Sequence, residues 1–431
     1  MALLTTFTTT PVVSVLYPPW YQVKIEAWKR GEIDWETGQP IRSSQSEDAE
    51  SNKPTLKRIG RLLVYLRLDN MPALLNLLSL FGSSGNDQDV TQIENEQSQD
   101  ETENSILSEG PKRAVWAHGI RLLQLTDRDS SVMTVSQVAD YSRHDPIVNT
   151  FRTVGQLHNL AASGEVAIMP ETRFAEALAT KSAKMSSDLL LVPWSETGGM
   201  GDSQILSSAT VDDKMASSYG TFVKSVLESH QQNVAVFFSR NDEADSSSKS
   251  VDRKALSRTY SFGVLKEDVP AAPLLKKPYH IFLAYFGGDD DKLALRVVLQ
   301  LCEKSKATAT ILRVATSTAT SSSSEPDLFD LAKERLPGNT SERVKFETVT
   351  GATTVEDVLI SARNEVDTSD NKTPYLIVAG RGSGSDLDEG KLDGKTREDL
   401  RNCLGAIAAN YVAGGVRADL LVVQSRKVEE S

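Results

Sequence analysis

Two cysteines in 431 residues leave no disulfide framework, and Cys302 and Cys403 fit neither a redox nor a metal-ligand spacing. Both lie in helix-like apolar patterns, which predicts buried structural thiols in a reducing compartment. The five histidines, His118, His144, His158, His230 and His280, are as dispersed: no two stand at helical zinc spacing and none has a cysteine beside it, which argues against a catalytic metal. Positive charge is short as well. No run of five Lys or Arg occurs and the formal net charge is −12, a balance that gives no basic patch to release counterions from phosphates and so argues against nucleic acid as a partner. The motifs GxSxG, GxxxxGK[ST], HExxH and CxxC are missing. An enzyme is therefore not expected.

What is present is a globular composition, 39% hydrophobic and 25% charged, in a chain too long for one ordinary core, so two folded units with linkers are expected. Four polar stretches punctuate it: 42–53, 83–112, 239–257 and 315–326. The second is dense in acids from Asp87 to Glu103 and has almost nothing apolar to bury, which predicts a mobile insert. Residues 1–16 are uncharged, mostly apolar or Thr, and too short to cross a bilayer alone; Tyr17, Trp20 and Tyr21 follow, then Lys24, Lys29 and Arg30. Aromatics and then positive charge are the order in which a membrane helix leaves the lipid on its cytosolic side. An apolar terminus without that role remains the alternative reading.

Between the polar stretches, short apolar runs alternate with helical periodicity, the pattern of an α/β fold with a mostly parallel sheet. Strands are predicted at 61–68, 115–125, 166–169, 188–193 and 233–238, with helices at 72–81, 147–162, 171–186 and 220–231. A second set follows, with strands at 279–286, 308–314, 344–349, 375–379 and 419–423 and helices at 290–304, 327–335, 354–365 and 398–412. Each half reads as a five-stranded sandwich, an internal duplication in which DLLLVPW answers YLIVAGR.

Open α/β sheets bind ligands beyond the carboxyl ends of their strands, so the loops there are weighed first. Gly287 and Gly288 form one turn, but Asp289, Asp290 and Asp291 follow at once and would repel a phosphate, which favours a capped turn. Gly380, Arg381 and Gly382 form a second, followed by Asp386 and Asp388. The third, after the strand at 188–193, holds Gly198 and Gly199, with Gly220 and Thr221 opening a later helix. That arrangement offers free amides and a hydroxyl to a nucleotide phosphate, or else Thr221 merely caps its helix. His144 and Asp145 before Pro146 read as a turn.

The segments ALLTTFTTTP, LYPPWY, EAWKRGEIDW, HGIRLLQLTDRDSSVM, DLLLVPW, IFLAYFGGDDDKLALRVVLQLC and LGAIAANY resemble the cytosolic tail of fungal potassium/proton antiporters of the monovalent cation/proton antiporter-2 family, relatives of plant cation/proton exchangers. The resemblance implies a regulatory domain on the cytosolic face of an endomembrane, a homodimer joined to the transmembrane antiporter domain of the same polypeptide, and no transport by this piece alone. It implies two tandem universal-stress-protein-like, Rossmann-like sandwiches at 55–240 (with the insert 83–112) and 278–426. Around them lie the end of the last transmembrane helix (1–16), a juxtamembrane linker (17–54), a linker at 241–277 and a tail at 427–431. Carried over residue by residue, a universal stress protein's adenine-nucleotide site, for AMP or ATP, would use Asp69, Gly198, Gly199, Gly220 and Thr221. Its second-half counterparts would be Gly287, Gly380, Arg381, Gly382 and Gly405, where Ala406 replaces the hydroxyl residue. The alternatives are a free-standing nucleotide-binding or nucleotide-hydrolysing stress protein, and a ligand-free dimerisation scaffold.

Overall fold

Leucine and valine without a polar alternate mark strands covered on both faces, and the middle of this chain's sheet is built of them. The computed structural model describes residues 56–82, 115–125, 142–194, 199–200, 218–229, 231–239, 278–315, 328–350, 355–368, 373–384, 395–414 and 416–427, all within one compact unit, Thr55–Ser431. The segments 1–16, 17–54, 83–112 and 241–277 lie outside the described residues. Among those described, no helix is long and apolar enough to cross a membrane.

The first five strands are β1 (Arg61–Tyr65), β2 (Trp116–Gln124), β3 (Ala161–Met169), β4 (Leu189–Pro193) and β5 (Val234–Phe238); the next five are β6 (His280–Tyr285), β7 (Thr308–Ala315), β8 (Val344–Thr350), β9 (Tyr375–Gly380) and β10 (Asp419–Gln424). Every residue of β4 and β9 is buried. The expected pair of sheets is one sheet, in the order β3-β2-β1-β4-β5-β10-β9-β6-β7-β8. All its neighbouring strands are parallel except β5 and β10, which meet antiparallel with Leu420 opposite Phe238 and Gln424 opposite Val234. This pairing satisfies two edges that separate sheets would have left open.

Helices cover both faces. On one lie α1 (Met71–Ser79), α2 (Pro146–Leu157), α5 (Asp289–Lys304) and α6 (Leu328–Glu334); on the other lie α3 (Phe174–Met185), α4 (Ser218–Glu228), α8 (Val355–Thr368), α9 (Lys395–Leu404) and α10 (Ala406–Ala413). A short α7 (Gly338–Ser341) precedes β8. Each of the two apolar cores draws residues from both sets of five strands.

Among the boundaries that differ from expectation, three have a clear local setting. The helix predicted to reach residue 162 stops at Leu157, because Asn159 turns into the left-handed region (φ 61°) and Leu160 N–H bonds back to Gly155 O, so β3 starts at Ala161. The helix predicted at 398–412 is two helices broken at Gly405 (φ 88°). The helix expected to open at Gly220 opens at Ser218, which puts Gly220 and Thr221 inside its first turn.

Candidate functional site

The strand order reverses between β1 and β4 and again between β6 and β9. In an open α/β sheet the crevice outside such switch points is where ligands bind. Of the residues singled out in the sequence, Asp69, Gly199 and the first turn of α4 lie by the first, and Gly287, Gly380, Arg381 and Gly382 by the second.

At the first switch point the organising side chain is Arg67, just past β1 and only 1% exposed. Its Nε and Nη2 donate to the two carboxylate oxygens of Asp69 at 2.9 and 3.1 Å, Nη2 also reaches Gly199 O at 2.9 Å, and Nη1 reaches Met200 O at 3.1 Å. The guanidinium lies 4.5 Å from the centroid of the Tyr219 ring. Burial works against the Arg67 charge, but Tyr219 and hydrogen-bonded Asp69 outweigh it and hold the pKa above the ordinary arginine value. Tyr219, fully enclosed, donates its hydroxyl to Pro193 O, and burial pushes its own pKa well up. Asn70 donates to Trp194 O and keeps its Oδ1 buried without a partner.

Asp69, Gly199 and Tyr219 of α4 are thus gathered around Arg67, a cation that the sequence did not single out. The Asp69 carboxylate and the Gly199 carbonyl are both held by Arg67. Thr221 is exposed and Gly220 buried, within the first turn of α4 rather than ahead of it. Gly198 lies outside the described residues. Only the unusual position of an arginine in the apolar run RLLVYLRLD could have signalled the fork.

At the second switch point carboxylates take the part an anion would. Asp291, buried, accepts from Phe286 N–H and Gly288 N–H at 3.2 Å each and from the Ser383 hydroxyl. Asp290 accepts from Gly382 N–H at 2.9 Å and from Ser425 N–H at 2.7 Å. Burial pushes the Asp291 carboxyl up to about 6, against the hydrogen bonds from Ser383, Gly288 and Phe286 that pull it down. Gly287 makes the turn at φ 97°. A Cβ on Gly380 would stand 2.4 Å from Ser383 Oγ and 2.7 Å from Asp291 Oδ1, so only glycine lets the loop close on these acids.

Arg381 turns away from that loop. Its Nε and Nη2 donate to Cys403 O at 2.8 Å and Asn402 O at 2.9 Å, the carbonyl end of α9, while Nη1 reaches Gln424 Oε1 at 2.7 Å. It caps a helix C-terminus, where cations are favoured. Gly405 completes the arrangement by letting the backbone pass against Arg381 O.

Two further polar clusters sit at the opposite, amino-terminal end of the strands. His118 Nδ1 lies 2.8 Å from Ser163 Oγ and its Nε2 3.8 Å from Glu165, whose other oxygen takes Lys181 of α3 at 2.6 Å. His118 and Lys181 together hold the Glu165 carboxyl down at about 2. His280 is surrounded by Thr308, Thr310, Glu365 and Tyr375. Asp145 proves to be the N-cap of α2, accepting Ile147 and Val148 amides at 3.0 and 2.9 Å and pairing with Arg121. Among the described residues no group of three or more His, Cys, Asp or Glu is placed to hold a metal.

No known family model and no curated protein matches the chain. Solved structures similar to it include universal stress proteins. One from Archaeoglobus fulgidus is 12% identical over 87% of this chain and 99% of its own, with a TM-score of 0.43. A putative one from Pseudomonas aeruginosa is 13% identical over 85% and 94%, with a TM-score of 0.34. A universal stress protein in complex with cAMP is 19% identical over 34% and 97%, with a TM-score of 0.21.

Proposed function

We propose that this chain is the regulatory cytosolic region of a monovalent cation/proton antiporter. In this reading it consists of two universal-stress-protein-like halves sharing one sheet, works as a homodimer under its own transmembrane domain on an endomembrane, and catalyses nothing. The segments quoted above support the antiporter context, and the repeated strand order about β1/β4 and β6/β9 supports the two halves.

The observation that carries the regulatory, ligand-free form of this reading is the occupation of both switch points by the chain's own charges: Arg67 in the first half, Asp290 and Asp291 in the second. A buried, fully bonded arginine or carboxylate is costly to displace, because its partners are left desolvated. Such loops hold structure together instead of waiting for a ligand. Calorimetric titration with AMP, ATP and cyclic AMP tests this: no heat with any of them is expected, and saturable binding at micromolar concentration would overturn it.

That second outcome would support nucleotide sensing in the first half. It is favoured by the meeting of Asp69, Gly199 and the first turn of α4 at one switch point. A nucleotide would then have to compete with Arg67 for Asp69, and Asp69→Asn would change the affinity.

A further inference from the structure

The sheet ends on β3 at one side and on β8 at the other, each parallel to its single neighbour. In β3, Ala161 N–H donates to Val115 O at 3.0 Å, so the odd-numbered residues turn their backbone groups toward β2 and the even-numbered ones turn theirs outward. Two of those outward groups are covered by side chains: Arg152 Nη2 donates to Gly164 O, and Val166 N–H donates to Ser142 Oγ at 3.2 Å. An open sheet edge is a template for another strand, and such cover closes it.

The edge at β8 has no such cover among the described residues. Ala309 N–H donates to Arg343 O at 2.9 Å, which turns the backbone of Lys345, Glu347 and Val349 toward β7 and that of Val344, Phe346 and Thr348 outward. The outward N–H and C=O groups of these three have no partner among the described residues. Side chains alternate along the strand. Val344 and Phe346 face one core, with the Phe346 ring 5.1 Å from that of Phe329. Lys345 and Glu347 form an ion pair on the other face, their side chains 68% and 39% exposed.

The charges select the partner. Two copies of β8 related by a two-fold axis run antiparallel, and outward-turned residues must meet outward-turned residues. With Phe346 opposite Phe346, Val344 meets Thr348 and Lys345 meets Glu347, each twice by symmetry. The Lys345–Glu347 positions are then the non-hydrogen-bonded ones, where side chains come closest. Moving the axis to 345 or to 347 sets Lys345 against Lys345 or Glu347 against Glu347, and like charges directly opposite destabilise a pairing. The edge is complementary to itself in one register.

We propose that β8 is a self-pairing edge: two copies of the chain join there, antiparallel about Phe346 and with reciprocal Lys345–Glu347 pairs, so that their sheets become continuous. This deepens the homodimeric part of the reading above and rests on it only in taking a second copy as the partner.

Sedimentation velocity on the whole chain across the micromolar range is expected to show a dimer. Thr348 is exposed and its N–H points outward, so Thr348→Pro removes a donor from the pairing and leaves the bonds to β7 in place. The dimer dissociation constant is expected to rise by about tenfold or more. Lys345→Glu and Glu347→Lys each set like charges opposite one another and are expected to weaken self-association by about tenfold. An equimolar mixture of these two variants restores opposite charges between unlike chains, so heterodimers of about wild-type affinity are expected. An ion pair acting only within one chain would not respond to mixing. A monomer throughout the range overturns the proposal, and the antiporter reading then keeps its homodimer through the transmembrane domain. A dimer unaffected by Thr348→Pro, or a mixture no stronger than its components, would each overturn it too and leave the homodimer to another surface. Should Thr348→Pro not fold, the mixing experiment decides.

Discussion

Gln300 and Ile59 exchange two hydrogen bonds across 241 residues of sequence: Gln300 Nε2 donates to Ile59 O at 2.7 Å, and Ile59 N–H donates to Gln300 Oε1 at 2.8 Å. One side chain in α5 thereby satisfies both backbone groups of a residue just before β1, and both partners are buried. Beside it Arg58 pairs with Glu303 of α5 at 2.6 Å. With the β5–β10 pairing, this contact makes the two sets of strands one body. Gln300→Leu keeps the volume and removes both bonds, leaving Ile59 with an unpaired donor and acceptor. A loss of about 2–4 kcal/mol is expected in urea unfolding, as one cooperative transition moved to lower denaturant. An unchanged midpoint would mean that the bonds contribute nothing net.

The Arg67 fork makes a second prediction. Arg67→Met removes the cation and leaves the Asp69 carboxylate, 12% exposed as a side chain, facing desolvated carbonyls. Breaking one partner of such a pair typically costs about 3–5 kcal/mol. Adding Asp69→Asn should recover part of that loss, since the remaining group carries no charge. The melting temperatures of the two single variants and the double variant measure the coupling. Strict additivity would deny that the pair acts as a unit.

Much of this fold was legible from local pattern. All ten expected strands are present, although β3 starts at Ala161 instead of 166 and β1 ends at Tyr65, because apolar runs such as LLLVP and YLIVAG can be satisfied only inside a sheet covered on both faces. The join between β5 and β10 was not legible, since the sequence of a central strand does not name its neighbour. The glycines of the candidate site and Arg381 were read from the loops that follow expected strands, and Asp69 from the family resemblance. Their partners were not, because the fork at Arg67 and the latch at Asp290 and Asp291 depend on which loops meet, and that is fixed by strand order rather than by any motif. The helix start at Ser218 was missed because Gly220 reads as a breaker, although it is tolerated in a buried first turn.

Gly405 has a backbone conformation that side chains rarely adopt, φ 88° with ψ 168°, and a Cβ there would stand 1.9 Å from Arg381 O. Gly405→Ala therefore meets both strain and a backbone clash at the point where α10 leaves α9. Strain of this kind costs about 1–3 kcal/mol before any clash is counted. Gly338→Ala is the matched control: Gly338 lacks a positive φ and has nothing within 4 Å of an added Cβ. It should be neutral or gain a few tenths of a kcal/mol through the unfolded chain, about the scale of such changes. Parallel thermal melts of the two variants check the contrast, and equal losses would refute it.

Asp291 sets the expected response to acid at the second switch point. Its carboxyl is raised from 3.8 to about 6 because burial disfavours the charged form more than three donors favour it. The folded state therefore binds this proton more tightly than the unfolded chain does. Stability from the group is complete below the unfolded value of 3.8 and disappears as pH rises through about 6. A shift of that size corresponds to about 3 kcal/mol between the two limits. Asp291→Asn cannot titrate, so urea midpoints measured from pH 4 to 7 should lose this downward contribution in the variant while keeping those of other groups. The difference between wild type and variant should change between pH 3.8 and about 6 and level off above that. If it is flat across that range, Asp291 is ionised throughout, and its bonds to Ser383, Gly288 and Phe286 outweigh its burial.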